Sequence, residues 1–216
     1  MQEQLAAMLL DLGAVSLSPN APYTWASGLK SPVYCDNRLV ISDVSARRIV
    51  IQGFQSLYAG MEEKPDLIAG TATAGIPHAA WLAEAEARPM IYVRSSEKKH
   101  GRKNQIEGRL RTGQSVLLIE DLISTGGSSI KAAQAIHDQG GKVLCVASIF
   151  SYGFNVADQG FRDAGLAYQS LTGLDDLMQV AIRRNLISSE DIQTLHTWSK
   201  DPQAWSNAYI KANPQT

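Results

Sequence analysis

The order of apolar and polar residues predicts alternating strands and helices in the middle of the chain. Four apolar runs are candidate strands, at residues 67–69, 90–94, 115–120 and 142–150. Helical patterns follow the first run, ending near Glu86, and the third run, over Ser128–Gln139. Near-continuous apolar strands separated by helices are typical of a parallel sheet that is buried on both faces. The pattern therefore predicts an α/β fold with a mostly parallel central sheet flanked by helices.

The N-terminal part shows a different pattern. Apolar residues at helical spacing predict a short helix over residues 2–12, and a strand is expected over 33–35. A long helix should follow over about 42–58, with Ser42 or Asp43 as its N-cap and Gly60 as its end. We expect residues 1–40 to form a small hood and an N-terminal helix that pack on the main body.

The C-terminal part, residues 174–211, is predicted to be helical, with start signals at Ser188 and at Asp201-Pro202. A length of 216 residues suits one domain that buries its own core, so we expect a single domain over the whole chain.

Composition and charge exclude several classes of protein. Twenty Lys and Arg against 21 Asp and Glu give a net charge of −1, which argues against a nucleic-acid partner. No apolar run approaches the length that a membrane span needs, and the N-terminus lacks the basic region of a signal peptide. Cys35 and Cys145 form no CxxC or Cys/His cluster, so we expect two reduced thiols in a cytoplasmic protein.

The strongest chemical signal follows the third strand, where residues 116–129 read VLLIEDLISTGGSS. Backbone N–H groups at the start of a helix form an anion site, and glycines let a phosphate approach the backbone closely. No lysine follows the Thr-Gly-Gly-Ser segment and the chain has no GxGxxG, so the loops of nucleotide hydrolases and dinucleotide-binding proteins do not match. The paired acids Glu120 and Asp121 would repel a phosphate, so we expect them to hold ribose hydroxyls, or Mg²⁺ through its waters.

Residues 120–128 resemble the 5-phosphoribosyl-1-diphosphate (PRPP) motif of type I phosphoribosyltransferases. The resemblance implies the type I phosphoribosyltransferase fold and a PRPP site, but it does not specify the base. The PRPP contacts that it implies within this motif are Glu120, Asp121, Leu122, Ile123, Ser124, Thr125, Gly126, Gly127 and Ser128. The loop 71–75 would face the diphosphate through its backbone.

A basic segment precedes this motif. Residues 94–111 contain seven cations and two acids, a local charge of +5 that leaves −6 for the rest of the chain. Such a charge suits a departing diphosphate, although charge alone is equally typical of a solvated loop. Residues 95–114 are too long for a tight connection and are predicted to form a mobile loop.

The residue order in this segment, IYVRSSEKKHG over 91–101 and NQIEG over 104–108, resembles the catalytic loop of orotate phosphoribosyltransferases, closest to the branch of Bacillus-like bacteria. The resemblance implies that Arg94, Lys98 and His100 contact PRPP, with Lys98 and His100 as the catalytic residues. It also implies a homodimer in which Arg94 reaches the partner's site, and closure of the loop over the substrates.

Residues 25–38, WASGLKSPVYCDNR, resemble the hood that this family places over the pyrimidine. The resemblance implies orotate contacts from Lys30, Tyr34 and, on the other side, Ser124; for Lys30 a purely local role is equally open. Other branches carry basic residues at the positions of Ala26, Ala74 and Ser95 and just after the 142–150 strand, so some other group would have to replace them here.

The family resemblance implies transfer of the 5-phosphoribosyl group from PRPP to N1 of orotate, giving orotidine 5′-monophosphate and diphosphate in pyrimidine biosynthesis. Mg²⁺ would be held mainly by PRPP and water, with no direct protein ligand. Two alternatives remain: a phosphoribosyltransferase for another base, and a PRPP-binding regulator. A regulator should carry a nucleic-acid-binding motif, and the sequence shows no helix-turn-helix or RNA-recognition motif.

Overall fold

The computed structural model describes residues 1–96 and 105–214. Its N-terminal part contains a helix, four short strands and two further helices: α1 (Gln2–Asp11), β1 (Val15–Leu17), β2 (Tyr23–Thr24), β3 (Lys30–Ser31), β4 (Val33–Cys35), α2 (Leu39–Ser42) and α3 (Val44–Gly60). Strands β1 and β4 pair antiparallel, and β2 and β3 form a second antiparallel pair. These four strands and their connections, residues 13–38, form the hood.

The middle part alternates strands and helices: β5 (Leu67–Thr71), α4 (Gly75–Ala85), β6 (Met90–Val93), β7 (Ile106–Glu107), β8 (Ser115–Ile123), α5 (Gly127–Asp138) and β9 (Lys142–Ser151). The last part adds α6 (Asn155–Asp163), β10 (Tyr168–Gly173), α7 (Leu174–Arg183), α8 (Ser189–Lys200) and α9 (Pro202–Ala212). None of the helices in the described part of the chain is long and apolar enough to span a membrane.

The central sheet has six strands in the order β10-β9-β8-β5-β6-β7. All its pairs are parallel except β6–β7, which is antiparallel. The predicted α/β class and mostly parallel sheet are confirmed. Because the carboxyl ends of the parallel strands lie at one edge, the loops that follow β5, β6, β8 and β9 gather there.

Both faces of the sheet are buried, as the apolar runs predict. In β8, Leu117 and Ile119 belong to a core cluster with residues of α1, α3, α4 and α7, whereas Val116 and Leu118 belong to a second cluster with α5 and α6. Successive side chains of a strand point to opposite faces, so a strand covered on both sides must be apolar throughout. The core thus fixes β8 at the centre of the fold.

Helix limits follow the predicted caps. The Asp43 side chain accepts a hydrogen bond from the Ala46 amide and begins α3, which continues through Gly60. Ser188 caps α8, and Asp201 caps α9 with Pro202 in its first turn. These N-caps can be predicted from the sequence because a cap depends only on residues that are close along the chain.

Three differences from the prediction concern the sheet, and one is strand β7, which pairs with β6 inside the segment predicted to be a mobile loop. Strand β8 does not end at Glu120 but runs to Ile123, because Leu122 and Ile123 also pair with β9. The pair α6 and β10 was not predicted; α6 is rich in Asn, Asp and Gly, and β10 is an edge strand of mixed polarity. Only Ala157 and Phe161 of α6 and Leu171 and Thr172 of β10 are buried, so neither segment carries the run of apolar residues that makes the central strands recognisable.

The turn from β5 into α4 packs tightly against β8. A Cβ atom added to Gly75 would meet the carbonyl oxygen of Ile119 and would lie 2.6 Å from Thr71 Oγ1. Gly60, at the end of α3, has no atom within 4 Å of the same position. A Cβ atom therefore does not fit at position 75, whereas position 60 has room for one.

We expect Gly75→Ala to lower the free energy of unfolding by about 1–3 kcal/mol, because the added methyl group meets backbone atoms that cannot move away separately. The matched control Gly60→Ala should raise it by about 0.5 kcal/mol, through reduced freedom of the unfolded chain. Urea denaturation followed by circular dichroism measures both. Equal stability of the two variants would contradict the packing argument.

Candidate active site

The predicted phosphate loop connects β8 to α5. Residues 120–123 form the end of β8, Ser124–Gly126 form the loop, and Gly127 and Ser128 begin the helix. Gly126 is the N-cap with φ of 78°, and a Cβ atom there would lie 2.8 Å from the Phe161 ring. Thr125, Gly127 and Ser128 are exposed, so the free amides at the start of α5 face an accessible surface. Ile123 is fully buried, and its carbonyl oxygen accepts a hydrogen bond from the Tyr152 amide at 3.2 Å, so this residue presents no accessible surface to a ligand.

The two acids of the motif have different surroundings. Glu120 is only 6% exposed; its Oε2 accepts a hydrogen bond from Ser129 Oγ at 3.2 Å and its Oε1 accepts one from the Asp121 amide at 3.1 Å. Burial, with Asp121 beside it, raises the pKa of Glu120 well above its usual range. Asp121 is half-buried, and its carbonyl oxygen accepts a hydrogen bond from Asn37 Nδ2 at 2.7 Å. Glu120 thus ties β8 to α5, and Asp121 connects the motif to the hood.

One cavity, of about 280 Å³, lies at the α5 end of the phosphate loop. It brings together two cations, Arg94 and Lys131, with Ser128 and the start of the loop 71–75. Its lining residues are Thr71, Ala72, Val93, Arg94, Ser95, Gln105, Ser128, Lys131 and Ala132. The peptide bond between Ala72 and Thr73 in this wall is cis. We call this the cationic cavity.

Arg94 directly follows β6, and contacts with residues 105–107 hold it in this cavity. Its amide donates a hydrogen bond to the Gln105 carbonyl at 2.8 Å, and its Nη1 lies 3.8 Å from Glu107 Oε1. Lys131 was not predicted. The available signal was its spacing, because a residue three positions after Ser128 lies on the same side of α5. The predicted catalytic residues Lys98 and His100 lie outside the described residues.

A second cavity, of about 450 Å³, lies at the other end of the loop. It includes Ser124, which the sequence predicts to contact orotate. Most of its wall is apolar or aromatic, and its lining residues are Trp25, Leu29, Ser124, Thr125, Phe154, Asn155, Val156, Lys200, Asp201, Pro202 and Gln203. We call this the apolar cavity. Its far wall comes from the turn between α8 and α9, which the sequence analysis did not connect with the site.

The other predicted orotate contacts, Lys30 and Tyr34, lie in the hood and are not among the residues that line the apolar cavity. The Lys30 amide donates a hydrogen bond to Ser206 Oγ at 2.9 Å. Tyr34 is 41% exposed, with its ring centroid 5.6 Å from that of Tyr23. The structure therefore brings together Ser124, Thr125 and the hood residue Trp25, but not Lys30 or Tyr34, around this space.

Comparisons with known proteins show which family the chain resembles. The family profile described as phosphoribosyl transferase domain matches residues 44–168. An orotate phosphoribosyltransferase of Cutibacterium acnes is 50% identical over 206 residues, 95% of each chain, and one of Bacillus caldolyticus is 48% identical over 207 residues, 96% of this chain and all of the other. The chain belongs to the orotate phosphoribosyltransferase family.

A solved structure gives the same picture of the fold. The orotate phosphoribosyltransferase of Mycobacterium tuberculosis H37Rv, in complex with PRPP, has a TM-score of 0.65 and 29% identity, over 82% of this chain and 98% of the other. The family profile ends at residue 168 and begins at residue 44, so it spans the phosphate loop and the cationic cavity. The hood and helices α7–α9 lie outside it.

No group of three or more His, Cys, Asp or Glu side chains in the described ranges, 1–96 and 105–214, is arranged to hold a metal ion. The acids nearest the phosphate loop are the adjacent pair Glu120 and Asp121. Of these, Asp121 is the more accessible, since Glu120 is buried and already accepts two hydrogen bonds.

Replacing Glu120 with Gln should change the pH dependence of stability. The pKa of Glu120 rises from 4.5 to about 8 on folding, so its contribution favours the folded state at low pH and is lost as the pH rises through that interval. Glutamine stays neutral, so we expect the stability of Glu120→Gln relative to the wild type to be about 3 kcal/mol more favourable at pH 8 than at pH 5.

The measurement is urea denaturation of both proteins without ligand at pH 5 and pH 8. Glu84→Gln, which removes an exposed carboxylate from α4, is the control. Its free energy of unfolding should equal that of the wild type at both pH values. A stability difference between Glu120→Gln and wild type that does not change with pH would show that burial does not perturb this group.

Proposed function

We propose that this protein transfers the 5-phosphoribosyl group from PRPP to N1 of orotate, releasing diphosphate and forming orotidine 5′-monophosphate. The observation that carries the proposal is the placement of one anion-binding loop between two unlike cavities. Ser128 borders the cationic cavity, and Ser124 and Thr125 border the apolar one. Such an arrangement suits a sugar phosphate whose C1 carries a charged leaving group on one side and receives a flat ring on the other.

The residues then have distinct roles. The amides of the loop and the first turn of α5 bind the 5-phosphate, and Asp121 accepts hydrogen bonds from the ribose hydroxyls, with Glu120 behind it. Arg94 and Lys131, together with Lys98 from the basic segment, take up charge on the departing diphosphate, and His100 donates a proton or a hydrogen bond to it. N1 of orotate attacks C1′ as the bond to diphosphate breaks, through a state with oxocarbenium character. This reaction needs no side-chain nucleophile.

Mg²⁺ is the proposed cofactor. The side chains near the loop fit an ion held by PRPP and water, because the accessible acid is Asp121 and its neighbour Glu120 is already hydrogen bonded. When bound, the ion neutralises charge on the diphosphate. Asp121 would orient one of its waters.

We also propose the family's homodimer and a cytoplasmic location. Both rest on the resemblance to orotate phosphoribosyltransferases. Because Arg94 lines the cationic cavity of its own chain, we assign it to that site rather than to the partner's. Cys35 and Cys145 are free thiols, as a reducing compartment would keep them.

The function is tested by the ultraviolet absorbance of orotate during incubation with PRPP and MgCl₂. We expect a loss of the orotate signal with stoichiometric release of diphosphate, abolished by EDTA, and no consumption of uracil or hypoxanthine. Turnover of another base in place of orotate would identify a different phosphoribosyltransferase. PRPP binding with no base consumed would instead identify the regulator.

Replacing Lys98 with Ala should lower kcat by about 100-fold or more, since a cation that stabilises the leaving group acts mainly in the transition state. Circular dichroism and the urea midpoint should remain those of the wild type. Lys103→Ala, which removes an equal charge from the same segment, is the control and should lose little activity. Equal losses in both variants would mean that the total charge of the segment matters, and unchanged turnover in Lys98→Ala would remove this residue from the mechanism.

A further inference from the structure

We propose that the C-terminal arm, residues 188–212, completes the base site, and that Lys200 binds the carboxylate of orotate. This inference rests on the proposed function and identifies which part of the chain recognises the substrate's charge. It gives a role to helices α8 and α9, which lie outside the phosphoribosyl transferase domain profile.

The arm is attached to the hood by polar and aromatic contacts. Ser206 of α9, itself 1% exposed, accepts a hydrogen bond from the Lys30 amide at 2.9 Å, and Asn20 Nδ2 donates one to Asp191 Oδ1 of α8 at 3.2 Å. Trp198 is fully buried, and its ring centroid lies 5.9 Å from that of Trp25. The arm therefore packs on the hood as a fixed element.

The same aromatic cluster joins the arm to the sheet. The Trp198 ring lies 5.5 Å from Tyr152 and 5.2 Å from Phe154, both in the connection between β9 and α6. Trp25 and Phe154 are also lining residues of the apolar cavity. One wall of that cavity is thus continuous with the packing that holds α8 in place.

Lys200 is presented to the cavity by a defined turn. It is the last residue of α8, and Asp201 begins α9 by accepting a hydrogen bond from the Ala204 amide at 2.9 Å. Of the described residues that line the apolar cavity, Lys200 alone is a cation. It is exposed and forms no ion pair with any other described residue, so its ammonium group is available to a ligand.

The acid in this wall keeps its charge but is engaged by the backbone of α9. The Asp201 carboxylate is bonded to the N-terminus of α9, where the helix dipole stabilises a negative group. An anionic ligand in the cavity would therefore meet the Lys200 ammonium group as its one free charged partner among the described lining residues.

The shape and chemistry of the cavity favour the base over a phosphate. Trp25, Leu29, Phe154 and Val156 give an apolar wall for a flat ring, and Ser124 gives a hydroxyl at its edge. A phosphate is better served by the loop amides at the start of α5, outside this wall. The ligand class that matches an apolar face with one cation is a planar ring that carries a carboxylate, which is orotate.

The decisive probes are orotidine 5′-monophosphate and uridine 5′-monophosphate, which differ only in the carboxylate of the ring. Their dissociation constants are measured by calorimetry for the full-length wild type, Lys200→Gln, Lys200→Arg and Lys211→Gln. Lys211, an exposed lysine in the last turn of α9 that does not line the cavity, provides the matched control.

We expect Lys200→Gln to raise the dissociation constant of orotidine 5′-monophosphate about tenfold, because one charge-assisted contact is lost. The dissociation constant of uridine 5′-monophosphate should stay unchanged. Lys200→Arg should recover most of the affinity, and Lys211→Gln should match the wild type. In steady-state assays the KM for orotate should rise by a similar factor while kcat and the KM for PRPP stay within about twofold.

Equal binding of orotidine 5′-monophosphate by wild type and Lys200→Gln would overturn the inference and leave the proposed function intact. Equally weakened binding of both nucleotides, or a raised KM for PRPP, would also overturn the inference, because Lys200 would then act on the phosphate. A wild type that consumes no orotate would refute the proposed function; the nucleotide pair would then still decide whether Lys200 recognises a ring carboxylate.

Discussion

The parallel pairing of β8 between β5 and β9 determines where the chemistry of this protein takes place. The apolar side chains of β8 are buried on both faces, and its last residues continue the ladder with β9 to Ile123. This extension fixes the point at which the backbone leaves the sheet and begins the phosphate loop. Because the loop joins a mostly buried strand to a helix whose inner face is buried, its amides are held in position before any ligand arrives, which would lower the cost of binding a phosphate.

The two ends of the chain complete what the central sheet begins. The phosphoribosyl transferase profile covers residues 44–168, which contain the loop, Arg94 and Lys131. The apolar cavity takes Trp25 and Leu29 from the preceding segment and its α8–α9 wall from the following one. We therefore expect PRPP to bind within the part that the profile covers, and the added segments to complete the surface that meets the base. Position 26 is alanine, so any cation that meets the base comes from elsewhere in the chain.

The sequence predicted those parts of the structure that local patterns determine. The four central strands are recognisable because burial on both faces demands continuous apolar residues, and the starts of α3, α8 and α9 are recognisable because Asp43, Ser188 and Asp201 cap them. The phosphate loop was predicted from nine adjacent residues. Lys200 and Trp25 could not be connected in this way, since 175 positions separate them in the sequence and only the packing of Trp198 brings them to one cavity. The burial of Glu120 has the same origin, because it depends on how α5 lies over β8.

The proposed reaction explains why cations lie on one side of the phosphate loop and apolar walls on the other. A transfer without a side-chain nucleophile depends on stabilising charge that moves from C1′ to the diphosphate, so cations must be concentrated where the leaving group departs and scarce where the ring enters. Residues 94–111 carry +5 in a chain of net charge −1, and Arg94 and Lys131 border the same cavity. On the other side of the loop the walls are apolar. The buried Glu120, whose pKa is raised, adds little negative charge beneath the loop, which leaves Asp121 as the accessible acid beside it.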